Sequence, residues 1–382
     1  MNIIVIGAGI SGMMTALTLR QAGCQVTLLD KGQPGHEASW AGGGILSPLY
    51  PWRYGKEVLA LTQHARHSYL HLQQQLLETT GQDIEVTTSG MLMPELPDID
   101  QALDWHATQP DNPAYRIPAK GDVKHSSKQS HLPRCKPLSV AAALNAPEAL
   151  WAPATAQVRN PRLLKAMQAE LMRCGVTVIA HTAIEHWTLS TDRITSVVDQ
   201  HGNLWQADQF VLCAGAWSDL LSRMTGVALP IRPIKGQMLR FEGPADWLTC
   251  MLMRGITYLI PRRDGQIICG STLEDTGFDA AITEGAGQSL YAKALELVPE
   301  LQTLRLAQQW AGLRPASPAG IPIIGRSPRH HNLWINAGHF RNGLVMAPAA
   351  AQLLRQQLLG EAPLCDPSPY QPTETSPHPC AS

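Results

Sequence analysis

The chain reads as an α/β protein, α+β overall, in which an antiparallel sheet is inserted into a nucleotide-binding unit. Three observations predict this. Asn2 to Lys31 carries strand, glycine turn, helix and strand in that order. Fully apolar runs such as Asp208 to Cys213, Ile321 to Gly325 and Leu333 to Asn336 read as buried strands of the kind found in parallel sheets. Between Pro230 and Pro322 the pattern changes to short strands at meander spacing.

The first stretch carries the chemistry. Ile3 to Ile6 is an apolar strand, and Gly7, Gly9 and Gly12 follow in G-x-G-x-x-G spacing. Ile10, Met13, Met14 and Leu17 recur on one helical face, and Val26 to Leu29 is a second strand ending at Asp30. This is a Rossmann-like βαβ unit that binds a dinucleotide. Gly7 permits the tight turn, Gly9 lets a pyrophosphate approach the backbone, and Gly12 lets helix pack on strand. The helix N-terminus offers free N–H groups and a positive dipole end to phosphate. Asp30 is placed to accept hydrogen bonds from a ribose diol.

After Asp30 come a small-residue run, Ser39 to Gly44, and an aromatic cluster, Tyr50, Trp52 and Tyr54. Gly42, Gly43 and Gly44 suit a backbone that passes close to a ligand. Glu57 to Glu78 reads as one helix, Ile84 to Leu96 as strand, and Asp98 to His106 as a short helix. Pro110 to Pro137, rich in Pro, Lys, Ser and His, has no assignable element. Asn160 to Cys174 is a helix with Pro161 in its first turn. Val176 to Ala180 is a strand, and Arg193 to Val198 with Asn203 to Trp205 forms a hairpin around His201-Gly202. In the inserted block, Met238 to Phe241, Thr257 to Pro261, Gln266 to Ser271 and Gln308 to Arg314 are strands, and Ser289 to Val298 is a helix. Gly338 to Gly343 is a second glycine-bounded turn, opening a helix from Leu344 to Leu359. The Pro-rich segment after Gly360 reads as a poorly ordered tail.

Composition excludes several classes. The 382 residues are 44% hydrophobic and 16% charged, with a formal net charge of -1. A near-neutral chain without basic runs gives nucleic-acid binding no electrostatic support. No apolar stretch approaches the ~18 residues of a membrane span. The first strand begins at Asn2, so the expected compartment is the cytoplasm. The eight cysteines lack C-x-x-C spacing, and the 14 histidines lack H-E-x-x-H, so no metal site is expected. Cys213 and Cys269 read as small core residues.

IGAGISG, SWAGGGILSPLYPWRY, FVLCAGAWS, PIKGQML, YLIPRRDGQIICGSTLE, WAGLRPASPAGIPIIG and GHFRNGLVMAP stand in that order along the chain. Together they resemble the glycine oxidases, D-amino-acid-oxidase-like flavoenzymes, from Met1 to about Gly360. The resemblance implies non-covalent FAD. Residues 1–87, 154–229 and 317–360 would form a discontinuous FAD-binding domain, 88–153 and 230–316 the substrate-binding domain, and 361–382 the tail. Ile10 and Ser11 would lie at the pyrophosphate turn, and Asp30 and Lys31 at the adenosine ribose. Ala38, Ser39, Gly43, Gly44 and Ile45 would run beside pyrophosphate and flavin, and the Ile184 backbone would touch the adenine end. His339, Phe340, Arg341, Asn342, Gly343, Leu344 and Val345 would close over the isoalloxazine, with a helix N-terminus where charge gathers on reduction.

The implied substrate residues are Tyr258, Arg314 and Arg341. An amino-acid carboxylate needs a fork of donors, which Arg supplies bidentately. Arg314 follows apolar neighbours; it is a pocket anchor or a surface strand end. Arg341 opposes the dipole of the helix it opens, and its plain alternative is a salt bridge to a nearby acid. Tyr258 reaches the same carboxylate or is a core tyrosine. Arg262 and Arg263, beside Asp264-Gly265, read as a solvated hairpin turn. The implied reaction needs no side-chain base: a hydride leaves the α-carbon for the flavin, the imine hydrolyses, and molecular oxygen yields hydrogen peroxide. For glycine the product is glyoxylate, and in the family such an imine feeds the thiazole of thiamine. The alternatives are a D-amino-acid or sarcosine oxidase or dehydrogenase, an FAD-binding redox sensor, and an NAD dehydrogenase. Family members are often tetramers, so a homo-oligomer is expected.

Overall fold

The computed structural model describes residues 1–118 and 146–373. Two large sheets organise it. In the first, the opening strand β1 (Asn2–Ile6) lies at the centre. It pairs in parallel with β2 (Gln25–Leu29) on one side and with Gln209–Leu212 on the other. Thr177–Ile179 extends the sheet past β2, and Leu333–Ala337 and then Ile323–Arg326 extend the other edge. Only Ile323–Arg326 runs antiparallel.

The period of two along β1 sorts its side chains to two cores. Ile3 and Val5 face helix α1 (Ile10–Gln21) and the C-terminal helix Gly343–Leu359, which pack together on one side. Ile4 and Ile6 face the other side, where a three-stranded meander, Ile184–Ser190, Arg193–Asp199 and Leu204–Trp205, supplies Ile184, Trp187, Ile194 and Val197. Each fully buried aliphatic side chain here contributes about 2 kcal/mol by leaving water.

Pro348 sits inside the C-terminal helix and has no N–H for the carbonyl of Leu344. The hydroxyl of Tyr69, wholly buried, donates to that carbonyl at 2.8 Å. The proline therefore leaves no acceptor orphaned.

The second sheet has eight strands in the order Arg305–Ala316, Arg232–Glu242, Gln266–Gly270, Thr257–Pro261, Met251–Arg254, Met91–Pro94, Glu148–Ala152 and Tyr115–Pro118. All neighbours are antiparallel except Met251–Arg254 with Met91–Pro94. Leu239, Phe241 and Leu259 on one face pack against Leu290, Ala294 and Leu297 of the helix Glu284–Leu297. Met238, Tyr258 and Ile260 lie in the opposite core with Ile45 and Trp52 of the segment after β2. That face meets the first sheet's loops, and the candidate site forms there.

Several sequence expectations change in detail. The helix expected from Glu57 to Glu78 is two, Lys56–Thr62 and Ala65–Thr80. Strand between Ile84 and Leu96 is confined to Thr87–Thr88 and Met91–Pro94. Gly90 interrupts it at φ +69°, and the Trp151 ring fills the space where its Cβ would stand. Of the unassigned stretch from Pro110, Tyr115–Pro118 is a strand, and 119–145 lies outside the described residues. The segment after Gly360 is not a loose tail as far as 373. Tyr370 is buried in the first core, and its hydroxyl donates to the carbonyl of Glu57 at 2.7 Å. The remaining tail, 374–382, lies outside the described residues. Among the described residues no helix is long and apolar enough to cross a membrane.

Candidate functional site

A cavity of about 420 Å³ runs from the glycine turn after β1 to the concave face of the second sheet. Its walls come from the first sheet's loop ends, the segment 37–49, and the strands that carry Tyr258 and Arg314.

The turn is tight because glycine allows it. Gly7 has φ +101°, and a Cβ there would stand 2.4 Å from the carbonyl oxygen of Cys213. Helix α1 starts beside it with no carboxylate in its first turn, and its Ile10 N–H is taken by the Ser39 hydroxyl at 2.9 Å. Every residue expected at the site lines the cavity except Gly12. Gly12 stands behind the cavity wall in the packing role its spacing suggests: a Cβ on it would meet the Gly7 carbonyl.

At one end, Asp30 accepts from the backbone N–H of Ala8 at 2.6 Å and of Gly32 at 2.9 Å. Part of its acceptor capacity thus fixes the turn itself. Lys31 pairs with Glu37 at 3.2 Å, and its ammonium lies 3.2 Å from the centre of the Trp217 ring. Ile184, Thr182 and Ala183 complete that end.

At the other end stand Tyr258, Arg314 and Arg341. Tyr258 is buried, and its hydroxyl donates to the Met238 sulfur at 3.5 Å. Arg314 donates to the Ser271 hydroxyl at 2.8 Å and the Thr272 carbonyl at 3.2 Å. Burial holds its pKa below the usual arginine value; the nearby Tyr258 hydroxyl opposes that shift, and the Arg341 charge adds to it. Arg341 occupies the short turn Phe340–Asn342 that opens the C-terminal helix. Among the described residues no carboxylate pairs with it, so the plain salt-bridge alternative falls away. Among the described residues neither guanidinium is in a salt bridge, although the Glu274 charge acts on Arg314, and both could donate to a small anion at this end.

Sequence reasoning misplaced one residue and missed others. Arg262 is not solvated; it is buried, with only 8% of its surface exposed. It donates to the carbonyls of Gly43 at 2.9 Å and Val158 at 3.1 Å and to the Gln157 side chain at 2.6 Å. Burial, with the charge of Arg159, pushes its pKa down to about 10, which leaves it cationic at neutral pH. Arg263 does stay at the surface, paired with Asp83. Asn160 and Asn336 also line the cavity. Asn160 donates to the Ser39 carbonyl at 2.7 Å, and a Cβ on Gly44, at φ +79°, would stand 2.1 Å from the Val158 carbonyl oxygen and 2.5 Å from Asn160 Oδ1. No short motif marks either asparagine.

The lining fits a bound dinucleotide. Four buried polar atoms in its wall, Asn160 Oδ1, Asn336 Oδ1, His339 Nε2 and Asn342 Nδ2, have no partner among the described residues. Such atoms are costly unless something pairs with them. Burial lowers the His339 pKa to about 4, so at neutral pH the ring offers one neutral donor or acceptor to the cavity. Cys213, also in the wall, has its thiol pushed up to about 12 by burial and stays protonated. Among the described residues, no cluster of three or more His, Cys, Asp or Glu could hold a metal ion.

Residues 2–357 match the family described as FAD dependent oxidoreductase, DAO. The chain belongs to that family. Its cofactor is therefore FAD, and the cavity with its orphaned polar atoms is where the residues present would hold it. The chain is 42% identical over 374 residues to a glycine oxidase of Pseudomonas aeruginosa, covering 97% of this chain and 98% of the relative. It is 30% identical over 358 residues to the bifunctional protein ThiO/ThiG of Trichormus variabilis, covering 92% of this chain and 52% of that longer protein. Its structure superposes on that of a glycine oxidase from Geobacillus kaustophilus with a TM-score of 0.87, at 22% identity, covering 98% of each chain.

Proposed function

We propose that this FAD-dependent oxidoreductase oxidises glycine, with other small amines or D-amino acids as further substrates. Glycine, oxygen and water would give glyoxylate, ammonia and hydrogen peroxide. The observation that carries the reading is that Arg314, Arg341 and Tyr258 line one end of the cavity whose other walls suit the cofactor. The relatives' glycine oxidase activity supports the same substrate.

The bound FAD supplies the hydride acceptor and passes the electrons to oxygen. The chain supplies orientation. Arg314 and Arg341 grip the substrate carboxylate, and Tyr258 adds a hydroxyl to the same grip. That fixes the α-carbon and leaves the amine free to be neutral. The apolar wall formed by Leu313, Leu49 and Ile45 keeps water from the reacting carbon. The role needs no acid or base among these residues.

The assignment of residues 1–87, 154–229 and 317–360 to cofactor and 88–153 and 230–316 to substrate is part of this proposal. So are a place in thiamine thiazole synthesis, which the bifunctional relative supports, a cytoplasmic setting and an assembly of several copies.

The experiment is anaerobic mixing of the yellow protein with millimolar glycine, sarcosine and D-alanine. Bleaching of the flavin by glycine supports the reading, and an unchanged spectrum with all three removes it. Arg314→Ala should raise KM for glycine strongly while the flavin spectrum stays. A normal KM in that variant would take Arg314 out of the site.

A further inference from the structure

We propose that Lys235 is a positioning residue for Arg314, acting from the face of the second sheet that points away from the cavity. The inference rests on the reading of Arg314 as a substrate anchor and adds a residue that reading does not contain.

Lys235 has a side chain only 1% exposed. A buried ammonium is costly unless its donors are met. Here they are: its Nζ lies 3.2 Å from Asp279 Oδ2, 3.2 Å from the Ala281 carbonyl and 3.6 Å from Glu274 Oε2. All three partners belong to one segment, 272–283, which leaves the strand Gln266–Gly270 and crosses the end of the sheet. The backbones of Lys235 and Glu274 also exchange two hydrogen bonds, each 2.9 Å. Two residues on, Gln237 donates its backbone N–H to the Thr272 hydroxyl at 2.8 Å and its side-chain amide to Thr283 Oγ1 at 3.0 Å. The segment is thus tied at its start, middle and end.

Its start is what Arg314 holds. The guanidinium donates to the Thr272 carbonyl and the Ser271 hydroxyl, over the bare α-carbon of Gly236. Alternation along the strand puts Gly236 on the opposite face from Lys235 and Gln237. The ammonium therefore fixes, through the segment, the two acceptors that aim the arginine into the cavity. Remove the ammonium, and Asp279, Ala281 and Glu274 lose their common partner; Glu274 accepts from the Thr272 hydroxyl, so one hold on Thr272 loosens and those to Gln237 remain.

The test uses holoenzyme with Lys235→Met, which keeps the stem and removes the charge. KM for glycine should rise about fivefold while kcat stays within about twofold, and acetate, a carboxylate that cannot react, should perturb the flavin spectrum with about fivefold weaker affinity. In an Arg314→Lys background, the same change at 235 should alter both quantities less than twofold, because the residue it positions is gone. Equal effects in both backgrounds would make Lys235 a purely structural residue and overturn the proposal, as would unchanged KM and acetate affinity. If Lys235→Met does not fold, Asp279→Asn, at the exposed end of the same contact, must show the same pattern in smaller measure or the proposal falls. If Arg314→Lys alone leaves glycine and acetate binding at the wild-type level, the substrate role of Arg314 is what fails, and the positioning role of Lys235 falls with it.

Discussion

Arg314 lies where Gly236 has no side chain: a Cβ at position 236 would stand 2.1 Å from one guanidinium nitrogen and 2.3 Å from Cζ. The two residues are on adjacent antiparallel strands, diagonal in a ladder that pairs Gly236 with Gly312 and Ile234 with Arg314. Glycine at 236 is thus a steric condition for the arginine's pose. Gly236→Ala is expected to leave a folded yellow protein and raise KM for glycine about tenfold or more, since even one methyl in a filled space forces its neighbours to move. Steady-state oxygen consumption against glycine concentration checks this; a wild-type KM would show that the observed pose is not needed.

Arg262 joins the two halves of the molecule through its bonds to Gly43, Val158 and Gln157. Arg262→Met leaves those acceptors buried and unmet. The expected loss is about 3 kcal/mol of unfolding free energy, read from urea denaturation of the holoenzyme. Because Gly43 lines the cavity, FAD should also dissociate faster. A variant with unchanged stability and FAD retention would show that neither link depends on the guanidinium.

His339 gives the protein an acid-sensitive element. Its folded pKa is lowered to about 4 by burial, against 6.5 for a free side chain. Between those values the unfolded state holds more protons, so stability is full above about pH 6.5 and declines as pH falls toward 4. From this residue alone the decline between pH 7 and pH 5 is about 2 kcal/mol. His339→Gln removes the titration, and urea unfolding at the two pH values should show a difference smaller by that amount. An identical pH response in both proteins would mean that His339 is not what senses acid.

The legible parts of the sequence were the local ones. The turn at Gly7, Gly9 and Gly12 could be read because strand, glycines, helix and Asp30 fall within one short stretch. Arg314 stood out because a charge among Ala311, Gly312 and Leu313 needs a reason to be there. Arg262 did not, because Asp264-Gly265 beside it is an ordinary turn signal, while the carbonyls it serves lie at Gly43 and Val158, far away in sequence. Tyr370 was hidden the same way: one aromatic in a Pro-rich run gives no periodicity, and only the fold shows that it fills the first core. Burial by distant partners was the common cause of both misreadings.

β1, central in the first sheet, precedes all its sheet neighbours in sequence. Its partner Gln25–Leu29 follows at once, but its other flank stays open until Gln209–Leu212 is available, and Leu333–Ala337 comes later still. On the ribosome a nascent chain that has made β1 therefore carries an apolar, unpaired edge until Gln209–Leu212 emerges. Slowing elongation between β1 and Gln209–Leu212 would lengthen the interval in which aggregation competes with folding.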